Sequence, residues 1–197
     1  MILVALGAVG FSLGEEGAYN AEMRDSQRGS PGRVEVIGAG PEQQAIVANL
    51  MELYVYDFSE MIAFKVGDDG RFGYPDLSLY WTEGGHHPFL IRVDDHWGGF
   101  VLVRRGSRVS GDEHVWDMAE FFVMRGYRRL GVGREVAGEI WRRFPGKWEV
   151  RVRDFNERAM SFWRGAIEEF VGTPLEPSRV ERGDRAWNVF VFESVLE

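Results

Sequence analysis

Arginines at positions 125, 128, 129 and 134 crowd around Gly131 and Gly133 in the stretch Arg125-Gly126-Tyr127-Arg128-Arg129-Leu130-Gly131-Val132-Gly133-Arg134. The run before it, Glu120-Phe121-Phe122-Val123-Met124, is apolar and aromatic, as in a buried strand. The run after it spaces Val136, Ile140 and Phe144 by four residues, with Ala137 and Trp141 beside them. That is a helical apolar face, ended by Pro145-Gly146. A strand, a glycine turn and a helix start make an anion site, because the first helical turn has unpaired N–H groups and the positive end of the dipole. Glycine removes the Cβ that would hold a phosphate away from the backbone. The turn lacks the Lys-Ser/Thr pair of a P-loop and contains no Gly-x-Gly-x-x-Gly, so the usual mononucleotide and dinucleotide turns are excluded.

Charge follows the same division. Residues 125–164 carry eleven Lys/Arg against five Asp/Glu, while the rest of the chain has 12 basic and 26 acidic residues. A net charge of −8 argues against a general nucleic-acid binder, yet the glycine turn opens a basic segment suited to a multiply charged anion. The chain has no cysteine, which excludes disulfides, thiolate metal sites and a cysteine nucleophile. His86, His87, His96 and His114 have no metal-ligand spacing and read as loop or turn residues, so no metal is expected. No apolar run approaches the roughly 18 residues that span a bilayer.

The elements that must position this turn can be read in order. Residues 1–32 join an apolar opening to a Gly/Ser-rich polar stretch. No Lys or Arg precedes the apolar part and no clean cleavage site follows, so a loosely attached extension is expected. The folded domain is expected over 33–197. A strand at 33–37 precedes a helix that starts at Gly40-Pro41, with Ile46, Leu50, Leu53 and Tyr54 on its apolar face. A long glycine- and aromatic-rich loop covers 59–87. Strands at 88–94 and 98–105 form a hairpin through Asp95-His96-Trp97, and 114–124 is the next strand. After the glycine turn and its helix comes a strand at 148–152. Asp154-Phe155-Asn156-Glu157 reads as a capping box for a helix reaching about Ile167. Short strands at 171–174 and 187–192 finish a β-α-β-β-β-α-β-α-β-β order, an α+β domain with a mixed sheet.

Arg128, Gly131 and Gly133 meet the pattern Arg/Gln-x-x-Gly-x-Gly/Ala, and Asn156, Ala159 and Phe162 meet Asn-x-x-Ala-x-x-Phe-Tyr. In both, the sequence resembles the GNAT superfamily of N-acetyltransferases, over roughly residue 33 to the C-terminus and most strongly over 120–165. The resemblance implies a mixed, mostly antiparallel central sheet flanked by helices, with a splayed central strand pair. It implies acetyl-CoA as co-substrate, its pyrophosphate on Arg128, Arg129, Leu130, Gly131, Val132, Gly133 and Arg134. The backbone of Phe122, Val123 and Met124 would steady the oxyanion, and Asn156 would touch the pantetheine arm. Trp163 stands where many relatives carry a tyrosine that protonates the leaving thiolate, a task an indole N–H cannot perform.

By the same resemblance Glu120 or Asp117 on the central strand takes the amine proton. Strand parity, or a bulge that reverses it, decides between them. Glu120 is favoured because a charge within Met118-Ala119-Glu120-Phe121-Phe122 is costly to bury without a use. The other reading of that carboxylate is a simple ion pair with an arginine. Tyr54, Tyr56, Tyr74 and Trp81 are candidate walls of an acceptor pocket. The expected protein is a cytoplasmic N-acetyltransferase for a small-molecule or peptide amine, without nucleic-acid or membrane partners and with a homodimer left open. The competing expectation is a non-catalytic acyl-CoA-binding sensor on the same fold.

Overall fold

Seven strands make one sheet: β1 (Val34–Gly38), β2 (His86–Val93), β3 (His96–Arg105), β4 (Trp116–Val123), β5 (Gly146–Arg153), β6 (Ser178–Arg182) and β7 (Arg185–Ser194). Their order is β1-β2-β3-β4-β5-β7-β6. The computed structural model describes residues 32–195, so the expected extension at 1–32 lies, apart from Gly32, outside the described residues. All neighbouring strands are antiparallel except β4 and β5. That parallel pair joins only at Trp116↔Trp148 and Asp117↔Glu149. β4 then runs on to Val123 and β5 to Arg153 without pairing to each other, so the mixed sheet is splayed at its centre as the family resemblance implied.

Among the described residues, four α-helices cover the sheet: α1 (Gln44–Phe58), α2 (Leu79–Thr82), α3 (Val132–Arg143) and α4 (Glu157–Val171). α1 lays Val47, Leu50, Met51 and Val55 onto Leu90, Phe100, Leu102, Ala119 and Phe122. α3 and α4 bring Val136, Ile140, Trp141, Trp163 and Ile167 onto Val101, Val103, Met118, Trp148 and Phe190 on the opposite face. Both faces of β3 and β4 are thereby covered, which is why their sequences are apolar runs rather than alternating ones. Among the described residues no helix is long and apolar enough to cross a membrane.

Several boundaries differ from the sequence expectation, each for a local reason. Residues 171–174 are not a strand. α4 continues through the apolar Phe170 and Val171 until Gly172 takes a left-handed φ of 75° and returns its N–H to Glu168, and the strand comes later as β6. The helix is capped by Asn156 rather than by an Asp154–Glu157 box, the Asn156 side chain accepting from the Ala159 N–H at 3.0 Å. His96 and Trp97 belong to β3, so the β2–β3 turn is Asp94-Asp95 with Asp94 at φ 48°. His86 and His87 lie in β2 rather than in a loop. The long loop also holds α2, anchored by the buried Tyr80.

Trp141 is fully buried against Trp163, Phe170 and Phe192. Trp141→Ala is expected to cost about 3–5 kcal/mol. Trp141→Phe is expected to cost less, because the indole N–H has no acceptor in the core. Urea midpoints of the two variants check this.

Candidate functional site

The register between β3 and β4 slips at Ala119: Leu102 opposes Glu120, whereas Val103 opposes Met118. Residues three apart on a regular strand face opposite ways. The bulge reverses that parity and turns Asp117 and Glu120 to the same face, the one α1 covers. Their surroundings then separate them. Asp117 is 1% exposed. It accepts Arg104 Nε at 2.9 Å and Nη2 at 2.6 Å, and Arg151 from β5 as well. Arg151 also donates to the Ala119 carbonyl at 3.1 Å. Both guanidiniums occupy the Asp117 carboxylate, an arrangement that ties β3, β4 and β5 together.

Glu120 is half-buried and accepts the hydroxyls of Tyr54 and Tyr74, each at 2.6 Å. Tyr54 comes from α1 and Tyr74 from the segment before α2. That segment is tied down by Glu52, which accepts the amides of Phe72 and Gly73. Burial first, and then the Glu120 charge, push both phenols well above the usual tyrosine range, so they act as neutral donors. A groove of about 530 Å³ between α1 and residues 65–77 shares Tyr74 with this cluster.

The backbone of β4 beyond the bulge has a definite sense. The Met124 N–H donates to the Gly98 carbonyl at 2.8 Å. Because peptide directions alternate, Phe122 and Glu120 also pair with β3, and the Phe121 and Val123 peptides face β5. There the pairing has already ended. The amides open to the splay are therefore those of Phe121 and Val123. Met124, expected to contribute, is occupied by Gly98, and Phe122 points to β3. The Val123 carbonyl accepts Arg128 Nε at 2.7 Å. The Phe122 and Val123 side chains are core, one on each face. Gly99 is required here, since a Cβ would meet the Phe122 carbonyl oxygen at 1.9 Å.

After a 3-10 turn at Arg125–Tyr127, Arg129 takes φ 64° and Gly131 φ 89°. The first amides engaged within the following helix are those of Arg134 and Glu135, both on the Gly131 carbonyl. Among the described residues, nothing accepts from the N–H groups of Arg129, Leu130, Gly131, Val132 and Gly133. Five successive open amides are what an anion needs. Gly133 also meets a packing need: a Cβ would meet the Phe162 ring at 3.0 Å, so its absence lets α3 and α4 close together. The arginines are mostly spoken for. Asp57, at the end of α1, binds Arg125 Nε at 2.7 Å and also Arg128, and Arg134 pairs with Glu169 at 2.9 Å. Arg129 is exposed and has no carboxylate partner among the described residues.

Other candidates fall elsewhere. Trp163 is core, its ring 5.0 Å from Phe121 and 6.1 Å from Trp141. The Asn156 side-chain oxygen is used in capping, which leaves only its amide nitrogen for a ligand. Tyr56 is 65% exposed and does not join the Glu120 cluster. Trp81 donates to the carbonyls of Ala39 and Gly40 and fastens α2 to the β1–α1 turn, so it serves structure. Sequence reading missed Asp57 and Arg151. For Asp57 there was a signal: it follows Tyr54 by three residues on a helix whose inward face was already known. Nothing local marked Arg151.

Comparisons with known proteins bear on the family and the fold. A family profile described as the acetyltransferase (GNAT) family matches residues 50–166, and the chain belongs to that family. An acetyltransferase from Thermus thermophilus superposes with a TM-score of 0.61 at 12% identity, over 81% of this chain and 96% of its own. NAA60 from Arabidopsis thaliana, solved with a bisubstrate analogue, gives 0.53 at 13% identity, over 82% and 98%. Spermidine N-acetyltransferase from Vibrio cholerae, solved with CoA and spermine, gives 0.54 at 9%, over 82% and 95%. These likenesses concern the fold. No curated protein matches the sequence.

Asp57 has a testable electrostatic role. Burial acts to raise its pKa, but the hydrogen bonds and charges of Arg128 and Arg125 prevail and hold it below the usual carboxylate range. A depressed folded pKa adds stability above the unfolded value near ~3.9 and loses it as pH falls through the folded pKa. Asp57→Asn is therefore expected to be less stable than the parent at neutral pH, with the gap narrowing below about pH 4. Urea midpoints at neutral and acid pH measure it.

Proposed function

We propose that this protein transfers an acetyl group from acetyl-CoA to a primary amine by direct attack. The observation that carries the proposal is the row of open amides at 129–133 beside two strands that part after only two pairs. The row fits a diphosphate, and the parting gives a thioester arm access to the Phe121 and Val123 amides. The similar folds of spermidine N-acetyltransferase, solved with CoA and spermine, and of NAA60, solved with a bisubstrate analogue, support the same reading.

In this mechanism the amine nitrogen bonds to the thioester carbonyl carbon while the carbon–sulfur bond breaks. Glu120 receives the proton that the amine must lose, directly or through one water. The Phe121 or Val123 N–H steadies the developing oxyanion, a preplaced donor that needs no rearrangement. Tyr54 and Tyr74 fix the carboxylate, and Asp117 holds Arg151 and the bulge that aims it. The second reading, acyl-CoA binding without turnover, draws on Trp163, a buried indole at the sequence position where the family resemblance expects a proton-donating tyrosine.

Two measurements test the proposal. Acetyl-CoA is expected to bind in calorimetry, and Gly131→Asp to weaken that binding at least about tenfold by placing a negative charge among the open amides; absence of binding to the parent would overturn the site. Thiol release with an amine panel is expected for the parent. Glu120→Gln should lower kcat/KM by about 10²–10⁴-fold while leaving acetyl-CoA affinity within about twofold. Binding without thiol release from any amine would select the sensor.

A further inference from the structure

Arg153 is the last residue of β5 and lies across the splay from the Glu120 side of β4. It shares strand parity with Arg151, which reaches Asp117 and Ala119, whereas Val150 and Val152 pack into the opposite core. Its side chain is therefore on the α1 face, the face that carries Glu120. The guanidinium carbon lies 5.0 Å from the centre of the Phe155 ring and 5.2 Å from that of Trp187. Its Nε is buried with no acceptor, and no carboxylate among the described residues pairs with it. The neighbouring guanidiniums of Arg151, Arg128 and Arg125 each hold an aspartate. Arg92 also has a buried Nε without an acceptor, but it packs on Trp97 from β2, two strands from the splay.

A positive group kept partly out of water and left without an anion is costly unless a ligand supplies the anion. The two rings hold the guanidinium plane, and a planar fork of donors matches a carboxylate. An aromatic track links this point to the base. Tyr54 bonds Glu120, and its ring lies 5.9 Å from Phe58. Phe58 in turn lies 6.2 Å from Phe155 and 6.4 Å from Phe64. Phe64 and Phe155 are 44% and 39% exposed, an apolar rim at the mouth of the splay.

We infer that the acceptor is a free amino acid with an apolar or aromatic side chain, its amine on Glu120, its carboxylate on Arg153 and its side chain against Phe58, Phe64 and Phe155. This deepens the acetyl-transfer reading and rests on it for the identity of the reaction, but not for the binding site. A site of this kind discriminates against an amine that lacks the carboxylate and against a peptide N-terminus whose carboxyl is an amide.

The test is calorimetry on the CoA-loaded full chain with L-phenylalanine, L-phenylalanine amide and phenethylamine. Phenylalanine is expected to bind at least about tenfold more tightly than either analogue. Arg153→Gln should remove that preference without changing CoA affinity, and Arg153→Lys should keep part of it. Equal binding of the three, binding of none, or a preference that survives in Arg153→Gln would overturn the inference. Thiol release is read on the same samples. Arg153-dependent phenylalanine binding without release would contradict acetyl transfer and leave the amino-acid site standing.

Discussion

The structure depends on how the two central strands are allowed to part. Strands that separate inside a sheet leave peptide groups without partners, and each buried one costs about 1–3 kcal/mol. Here two of the carbonyls that face the gap are answered from the side by arginines. Arg151 reaches the Ala119 carbonyl from β5, and Arg128 reaches the Val123 carbonyl from the glycine turn. Each arginine is fixed by its own aspartate, Asp117 for the first and Asp57 for the second. The intervening N–H groups of Phe121 and Val123 have no such partner on the β5 side. The gap thus has two of its carbonyls satisfied by arginines and its Phe121 and Val123 N–H groups open, donors of the kind an anionic or oxyanion-forming ligand requires.

The same two ion pairs connect parts of the chain that would otherwise be independent. Asp57 is the end of α1, the helix that supplies Tyr54, so the turn that would hold a phosphate and the wall that aligns Glu120 share one side chain. Asp117 sits below the Ala119 bulge, which turns Glu120 toward the tyrosines. Asp117 and its guanidiniums are nearly water-free, so removing one partner would strand buried charge. Gly99 and Gly133 serve by lacking a side chain where Phe122 and Phe162 press close, one on each side of the turn.

Much of this was legible in the chain itself. The glycine turn, the helix after it and the strand before it carry short-range patterns, and they lie where those patterns put them. The element order follows from the same local signals and leads to the α+β fold with a mixed sheet, while the splayed pair was implied only by the family resemblance. What was hidden involves residues far apart in sequence. Glu120 meets Tyr54 and Tyr74 across separations of 66 and 46 residues, and Arg151 meets Asp117 across 34. Asp117 and Glu120 could not be told apart until the bulge was located, because a single extra residue exchanges the faces of everything beyond it. Trp81 and Tyr56 were aromatic residues in the right region with the wrong orientation, a property composition does not carry. Gly133 also meets a packing need that its motif does not announce, since ring packing selects the same residue type as close ligand approach.

In the proposed function, the amides that the fold leaves unpaired are the ones acetyl-CoA takes. Residue-resolved amide hydrogen exchange, with and without saturating acetyl-CoA, measures this directly. Slowed exchange at Arg129 through Gly133 and at Phe121 or Val123, with Met124 already protected by Gly98 beforehand, is the expected result. Exchange at those positions unchanged by a bound cofactor, or protection appearing only elsewhere on the sheet, would contradict it.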